Sequence, residues 1–329
     1  MNVLSLFDGM SCGQIALNQL GIKVDNYYAA EIDKYAIEIA KKNYPNTIHL
    51  GDVTKIKGSD LPQIDLLIGG SPCQGFSFAG KQLNFNDPRS ALFFEFVRLL
   101  KECNPKYFLL ENVRMKQEYE DVITNYLGVS PIKINSSLVS AQNRVRLYWT
   151  NIPNIIQPED KGIRLIDIFE FDVDEKIYEA PYYKRYDKDD GCIGYIGKQP
   201  KQATRVYSTN NKSQCITALG GGQGGKTGLY ELPISGAIRG RQITPNSKEY
   251  TQMLELREDN KTNTLTTATK DNVIFHNSKC RKLTPTECEK LQTVPDGYTE
   301  GVSNTQRYKM LGNGWTVEVI KHIFKNMEA

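Results

Sequence analysis

Histidine is nearly absent from this chain: its 329 residues include three, His49, His276 and His322, each isolated in sequence. A histidine-based metal centre or a Cys-His dyad is therefore not expected. Cysteine is scarce as well. The seven present are an odd number without CxxC spacing, which reads neither as a disulfide framework nor as a zinc site. Long apolar runs are missing too, none approaching the ~18 residues of a membrane span. The N-terminus carries an early Asp8 in place of a charged, then apolar, leader. These absences lead to the expectation of a cytoplasmic protein with neither membrane nor metal. Net charge is small, +3, so a nucleic-acid partner would have to meet a local basic face. What is left, 40% hydrophobic and 24% charged residues, describes an ordinary globular chain long enough for two domains.

The most informative stretch is Gly69-Gly70-Ser71-Pro72-Cys73-Gln74-Gly75-Phe76-Ser77. The apolar run Ile64–Ile68 before it has the length and flanks of a buried parallel strand. Two glycines end that strand, and a proline presets the backbone just before a single cysteine. A thiol is thus placed at the carboxyl end of a strand, where open α/β sheets bind ligands. A plain turn with a small buried cysteine is the competing reading.

Upstream, residues 2–7 read as a first strand, followed by the glycine-bearing turn Asp8-Gly9-Met10-Ser11-Cys12-Gly13. Ile15, Ala16, Leu17 and Leu20 then suggest a helix closed by Gly21. Strand, glycine turn and helix together make a nucleotide-type cradle. A second strand, 25–30, ends in Glu31, about 20 residues past the glycines, where a carboxylate takes ribose hydroxyls. A third, 47–50, ends in Gly51-Asp52-Val53 and brings another carboxylate to the same edge. Two acids at successive strand ends suit an adenosine with free ribose hydroxyls and repel a 2′-phosphate.

Downstream, residues 75–90 have the glycine content and length of a lid, or of a plain surface loop. A helix from Leu92 to Leu100 follows, then a strand from Tyr107 to Leu110 that delivers Glu111-Asn112-Val113. Ile132–Ile134 with Leu138-Val139 suggests another strand. Gln142-Asn143-Arg144-Val145-Arg146-Leu147-Tyr148-Trp149 alternates, so both arginines would project from one face of a strand. From Asn151 the texture changes. Pro153 and Pro158 mark a linker, and helix periodicity lapses for about a hundred residues rich in Tyr, Gly, Thr, Lys and Asn. This reads as a smaller, mostly β domain over 151–280. It holds a repeat, Asn211–Thr217 recurring at Asn260–Thr266, separated by the glycine loop 220–228. Lys212, Arg239, Arg241 and Lys261 offer phosphate-binding charge. Thr284-Pro285-Thr286-Glu287 is a capping box with proline at the first helical position. Leu311–Thr316 is expected to open a final helix carrying Val317, Val319, Ile320 and Phe324.

Taken in order, Pro-Cys-Gln at 72–74, Glu-Asn-Val at 111–113 and Gln-x-Arg-x-Arg at 142–146 resemble the motifs of the DNA (cytosine-5) methyltransferases. The resemblance covers 1–150 and 281–329. Ser11 stands where the family's Phe-x-Gly-x-Gly has its second glycine. Trp315, like the early Phe7-Asp8-Gly9, is closer to the animal de novo enzymes than to the usual Gly-Asn-Ser. The resemblance implies a Rossmann-like α/β catalytic domain, 1–150 and 281–329, interrupted by a target-recognition domain, 151–280. It implies S-adenosylmethionine as cofactor, held by Phe7, Asp8, Gly9, Glu31, Ile32, Asp52, Val53, Leu92, Asn313 and Trp315. It further implies a nucleophile, Cys73, a base-binding Glu111, and Arg146 on the base with Arg144 in support. Double-stranded DNA would be the partner, touched by Gln74, Ser77, Arg89, Gly220, Gly221, Gly222 and Lys226, and a cognate restriction endonuclease is a candidate second partner. Two alternatives stay open at this point: the same chemistry on RNA, and a non-catalytic DNA-binding protein on the same fold.

Overall fold

The computed structural model describes residues 1–71, 91–171, 173, 178–179, 192–196, 204–218, 228–242, 250–256 and 272–327. Within these, the first half of the chain alternates strand and helix: β1 (Asn2–Leu6), α1 (Cys12–Gln19), β2 (Asn26–Ala30), α2 (Lys34–Asn43), β3 (Ile48–His49) and β4 (Leu66–Gly69). Then come α3 (Ala91–Cys103), β5 (Tyr107–Val113), α4 (Gln117–Leu127), β6 (Ile132–Asn135) and β7 (Val145–Thr150). The seven strands form one sheet in the order β3-β2-β1-β4-β5-β7-β6. β1 to β5 run parallel, and β7 enters antiparallel between β5 and β6. Strand order reverses between β1 and β4, where Leu6 pairs with Gly69. At such a switch point the two following loops leave in opposite directions and open a crevice.

Alternation along the strands explains both faces. Val3, Leu66, Ile68, Leu109 and Tyr148 pack with α1 and the C-terminal helices, while Leu4, Leu67, Phe108, Leu110, Leu147 and Trp149 pack on the other side. The second face is closed by α3 through Phe93, Phe96, Val97 and Leu99. The first is closed by α5 (Pro285–Gln292), α6 (Asn304–Asn313) and α7 (Val317–Phe324), with Val317, Val319, Ile320, Ile323 and Phe324 all buried. The capping box at Thr284 and Glu287 forms as expected, with both reciprocal bonds and proline in the first turn.

A second sheet comes from the middle of the chain: β8 (Tyr178–Glu179), β9 (Cys192–Tyr195), β10 (Arg205–Tyr207), β11 (Leu229–Gln242), β12 (Tyr250–Leu256) and β13 (Asn272–Arg281). Its path is β8-β13-β11-β10-β9, with β12 on the far half of β11. Register between β11 and β13 slips between Glu231 and Pro233. Proline has no N–H to give the ladder, so a break there is expected. This sheet is not isolated from the first one. Leu165, Phe169, Cys192, Tyr207, Ile216 and Tyr230 belong to the same buried cluster as Val3 and Leu109.

Several local expectations change. β5 continues through Val113, so Glu111 and Asn112 are strand residues and do not follow a strand that ends at Leu110. Leu138 falls in a short 3₁₀ turn after β6 and not in a strand. Residues 311–313 close α6, a helix the sequence reading lacked, and α7 begins only at Val317. Among the described residues no helix is long and apolar enough to cross a membrane.

Candidate active site

Three strand ends converge on the crevice. The turn after β1 is built from left-handed residues, with φ of 58° at Phe7, 59° at Gly9 and 64° at Ser11. Gly9 suits that conformation, and the space where a side chain would stand is open. Glu31, just past β2, holds the turn: its Oε2 accepts from Gly9 N at 2.8 Å, and its Oε1 accepts from Ile32 N at 2.7 Å and Asp33 N at 2.8 Å. A carboxylate offers about four acceptor positions, so three amides leave one for a ligand. Beside it, Ile32 is 78% exposed, a large apolar side chain left bare at a sheet edge. Asp52 Oδ1 accepts from Thr54 N and Thr54 Oγ1, and those bonds hold its carboxyl below the usual range. Val53 next to it is buried.

Asp8 is turned into the protein. It accepts from Tyr27 OH at 2.8 Å and from the Ser11 hydroxyl, and loss of water around it raises its pKa to about 6 despite those bonds. These bonds tie Asp8 to Ser11 of the turn and to Tyr27 of β2. Leu92 is half-buried against the α3 side of the core, and Asn313 is exposed at the end of α6.

The second cluster lies on the β4, β5 and β7 ends. Glu111 pairs across the sheet with Tyr148, and Val113 with Arg146. Period-two alternation puts Glu111, Tyr148 and Arg146 on the face that meets the C-terminal helices. Glu111 Oε1 lies 2.9 Å from Arg146 Nε, and its Oε2 accepts from Trp315 Nε1 at 3.1 Å. Both charged side chains are largely buried, at 10% and 14% exposed. The ion pair is not an aligned hydrogen bond, since Arg146 Nε–H has no hydrogen-bond partner among the described residues. Burial acts to lower the Arg146 pKa, and Glu111, Cys215 and Tyr148 together outweigh it and raise it. Gly70 is where β4 enters this cluster. A Cβ there would stand 3.0 Å from Trp315 Nε1 and 3.1 Å from Glu111 Oε2, so any side chain would press on the pair. Asn112 Nδ2 donates to Ser71 Oγ at 3.3 Å, tying β5 to the residue two before Cys73.

Arg144 is the residue expected to support Arg146. It precedes β7, is 3% exposed, and donates to the carbonyls of Ile216, Gly312 and Gly314 at 2.9–3.3 Å. Those bonds fasten backbone to backbone, which makes Arg144 a positioning residue. Gln142 likewise does not enter the pocket: it is fully buried among α5 and the 211–217 segment. Sequence reasoning missed Cys215, whose Sγ lies 3.3 Å from Arg144 and 3.8 Å from Arg146. Burial acts to raise its thiol pKa, and the two guanidinium charges outweigh it and hold it low. Cys73, Gln74, Ser77, Arg89, Gly220, Gly221, Gly222 and Lys226 lie outside the described residues, as do the stretch 75–90 and the second repeat copy, 260–266. Among the described residues no group of His, Cys, Asp and Glu could hold a metal ion.

The family model for C-5 cytosine-specific DNA methylases matches residues 1–329. The type II methyltransferase M1.ScrFI of Lactococcus lactis subsp. cremoris is 32% identical, over 99% of this chain and 77% of its own length. The type II methyltransferase M.HhaI of Haemophilus parahaemolyticus is 26% identical over 99% and 94%. Among solved structures, a DNMT2 mutant of Spodoptera frugiperda superposes with a TM-score of 0.65 at 22% identity, covering 99% of this chain and 98% of that one.

Proposed function

Because this chain belongs to the C-5 cytosine-specific DNA methylase family, we propose that the cluster of Glu111, Arg146, Trp315 and Gly70 is its pocket for the target base. The enzyme is a DNA (cytosine-5) methyltransferase that uses S-adenosylmethionine. One observation carries the pocket reading: a buried carboxylate sits between a guanidinium and an indole N–H, beside Gly70 at the end of the strand that leads in sequence to Cys73.

Cytosine C5 is a poor nucleophile inside an aromatic ring. The Cys73 thiolate attacks C6, forming a C–S bond, and the ring electrons pass to N3 and C5. Glu111, sharing a proton, holds N3 and the exocyclic amine and offsets the charge developing there. Arg146, whose guanidinium lies beside the Glu111 carboxylate, would hold the cytosine O2. Bound S-adenosylmethionine supplies an electrophilic methyl group. Loss of the C5 proton then expels the thiolate and restores aromaticity. C6 is inaccessible within stacked double-stranded DNA, so the base must leave the helix.

The residues at the β1, β2 and β3 ends fit the cofactor. An open glycine turn, a carboxylate with acceptor capacity left, a bare isoleucine and a second carboxylate suit an adenosine. Phe7, Gly9, Glu31, Ile32, Asp52 and Val53 would hold it, together with Leu92, Asn313 and Trp315. Glu31→Ala is expected to weaken S-adenosylmethionine binding by about 1.5–3 kcal/mol, the scale of charged hydrogen bonds. Calorimetry reads this directly, and unchanged affinity would reduce Glu31 to an anchor for its own turn.

Sequence specificity belongs, in this reading, to the 151–280 domain, and a cytoplasmic location with a cognate restriction endonuclease as partner completes it. The glycine loop 220–228 permits close backbone approach, and its neighbours can read base edges. Altering a base-reading side chain there should cost roughly 1–3 kcal/mol of discrimination per contacted pair. Bisulfite sequencing of DNA from cells expressing loop variants tests both statements. An unchanged methylated sequence would place recognition elsewhere, and no cytosine methylation by the wild type would remove the reading altogether.

A further inference from the structure

The inserted domain and the base pocket share a buried polar joint. Residues 213–217 lie along the strand entry at 141–144: Ser213 N donates to Ala141 O at 2.7 Å and Asn143 N to Ser213 O at 2.9 Å. The Ile216 peptide is gripped from both sides. Its N–H donates to Gln142 Oε1 at 3.0 Å, and its carbonyl accepts from Arg144 at 3.2 Å. Gln142 Nε2 in turn donates to Leu291 O at 3.2 Å and, more weakly, to Gln292 Oε1 at 3.4 Å. Gln292 donates to Leu311 O at 2.6 Å and Gly314 O at 3.1 Å, and it accepts from Thr316 Oγ1 at 2.9 Å. Both glutamines are fully buried. The strap crosses α6 so closely that a Cβ on Gly312 would stand 2.3 Å from the backbone of Thr217 and Ala218. The Gln292 bonds to Gly314 and Thr316 flank Trp315, whose indole donates to Glu111.

A glutamine buried without water must have its amide satisfied, and losing one strands its partners at a cost that ordinary packing does not recover. Here the partners belong to three segments remote in sequence, so the amides set the relative position of those segments. We propose that Gln142, Gln292 and Arg144 are positioning residues that join the inserted strap to the Trp315 turn, and thereby fix the Glu111 carboxylate against Arg146. The geometry of the base pocket then depends on how the insert is seated. This inference rests on the reading of Glu111 and Arg146 as the base-holding pair.

The chain has two tryptophans, which makes the joint observable by ¹⁹F NMR of full-length protein labelled with 5-fluorotryptophan. Trp149 is fully buried on the other face of the sheet, bonded to Thr124, and serves as the internal control. In Gln142→Met and Gln292→Met the Trp315 resonance is expected to shift or broaden while Trp149 stays in place. Turnover on duplex DNA should fall roughly ten- to a hundred-fold, the scale of small misplacements at a reacting centre. If either methionine variant fails to fold, Thr316→Val removes only the hydroxyl that supports Gln292 and should move the same resonance by less. A folded variant with the wild-type Trp315 resonance and turnover overturns the proposal. Failure of the pocket reading looks different: Glu111→Gln would then keep full activity, whatever the fluorine spectra of the glutamine variants.

Discussion

A Cys73→Ala variant is expected to lose methyl transfer to duplex DNA entirely while still binding S-adenosylmethionine. The reason is chemical: without a covalent adduct at C6, C5 stays within an aromatic ring and has no electron pair to offer. Cys12, Cys215 and Cys288 do not replace it. Cys12 and Cys288 are buried and pushed up in pKa by loss of water, to about 12 for Cys12. Cys215 has a lowered pKa, and its sulfur is committed between Arg144 and Arg146. Duplex DNA carrying 5-fluorocytosine at the target should trap the wild type covalently, because fluorine cannot leave as a proton does, and should leave Cys73→Ala untrapped. Residual C5 methylation by Cys73→Ala at more than background would sink the assignment.

Glu111→Gln should lower single-turnover methyl transfer by roughly 10²- to 10³-fold, the range for losing one preorganised group at developing charge. The amide can still face a base, but it cannot share a proton with N3 or carry the charge that balances Arg146. Glu111→Ala should be worse in a second way. It leaves the largely buried Arg146 guanidinium unpaired, which costs about 3–5 kcal/mol of stability. Rapid-quench kinetics beside a denaturant melt separates these effects. A Glu111→Gln enzyme with wild-type single-turnover rate would show that the carboxylate serves the fold and not the base.

The extent to which this was legible in advance follows the range of each interaction. β4 and its glycines, the Glu31 and Asp52 strand ends and the Thr284 capping box are recognisable because each is written within about ten consecutive residues. α4 escaped because its apolar positions, Tyr119, Ile123 and Leu127, form a narrow stripe between polar residues. α6 escaped for the same reason, its buried residues crowding its second half. The Glu111 environment is a different kind of case. The sequence suggested a base ligand just past a strand ending at Leu110, and the sheet made it a strand residue, because β7 pairs with β5 across Glu111 and Tyr148.

By itself, then, the sequence determined the alternation of strand and helix, the order of the motifs and the chemistry that such side chains perform. Those are properties of local periodicity, turn stereochemistry and residue type, and they need no knowledge of what lies opposite. Only the tertiary structure decided which side chains act on one another. Trp315 reaches Glu111 across 204 residues of chain, Gln142 reaches α5 across about 150, and Arg144 is drawn from the pocket to the carbonyls of Gly312 and Gly314. The physical reason is the demand that every buried polar group find a partner. That demand is met by whichever group the packed helices and the inserted strap bring within reach, and no local pattern in the chain encodes that choice.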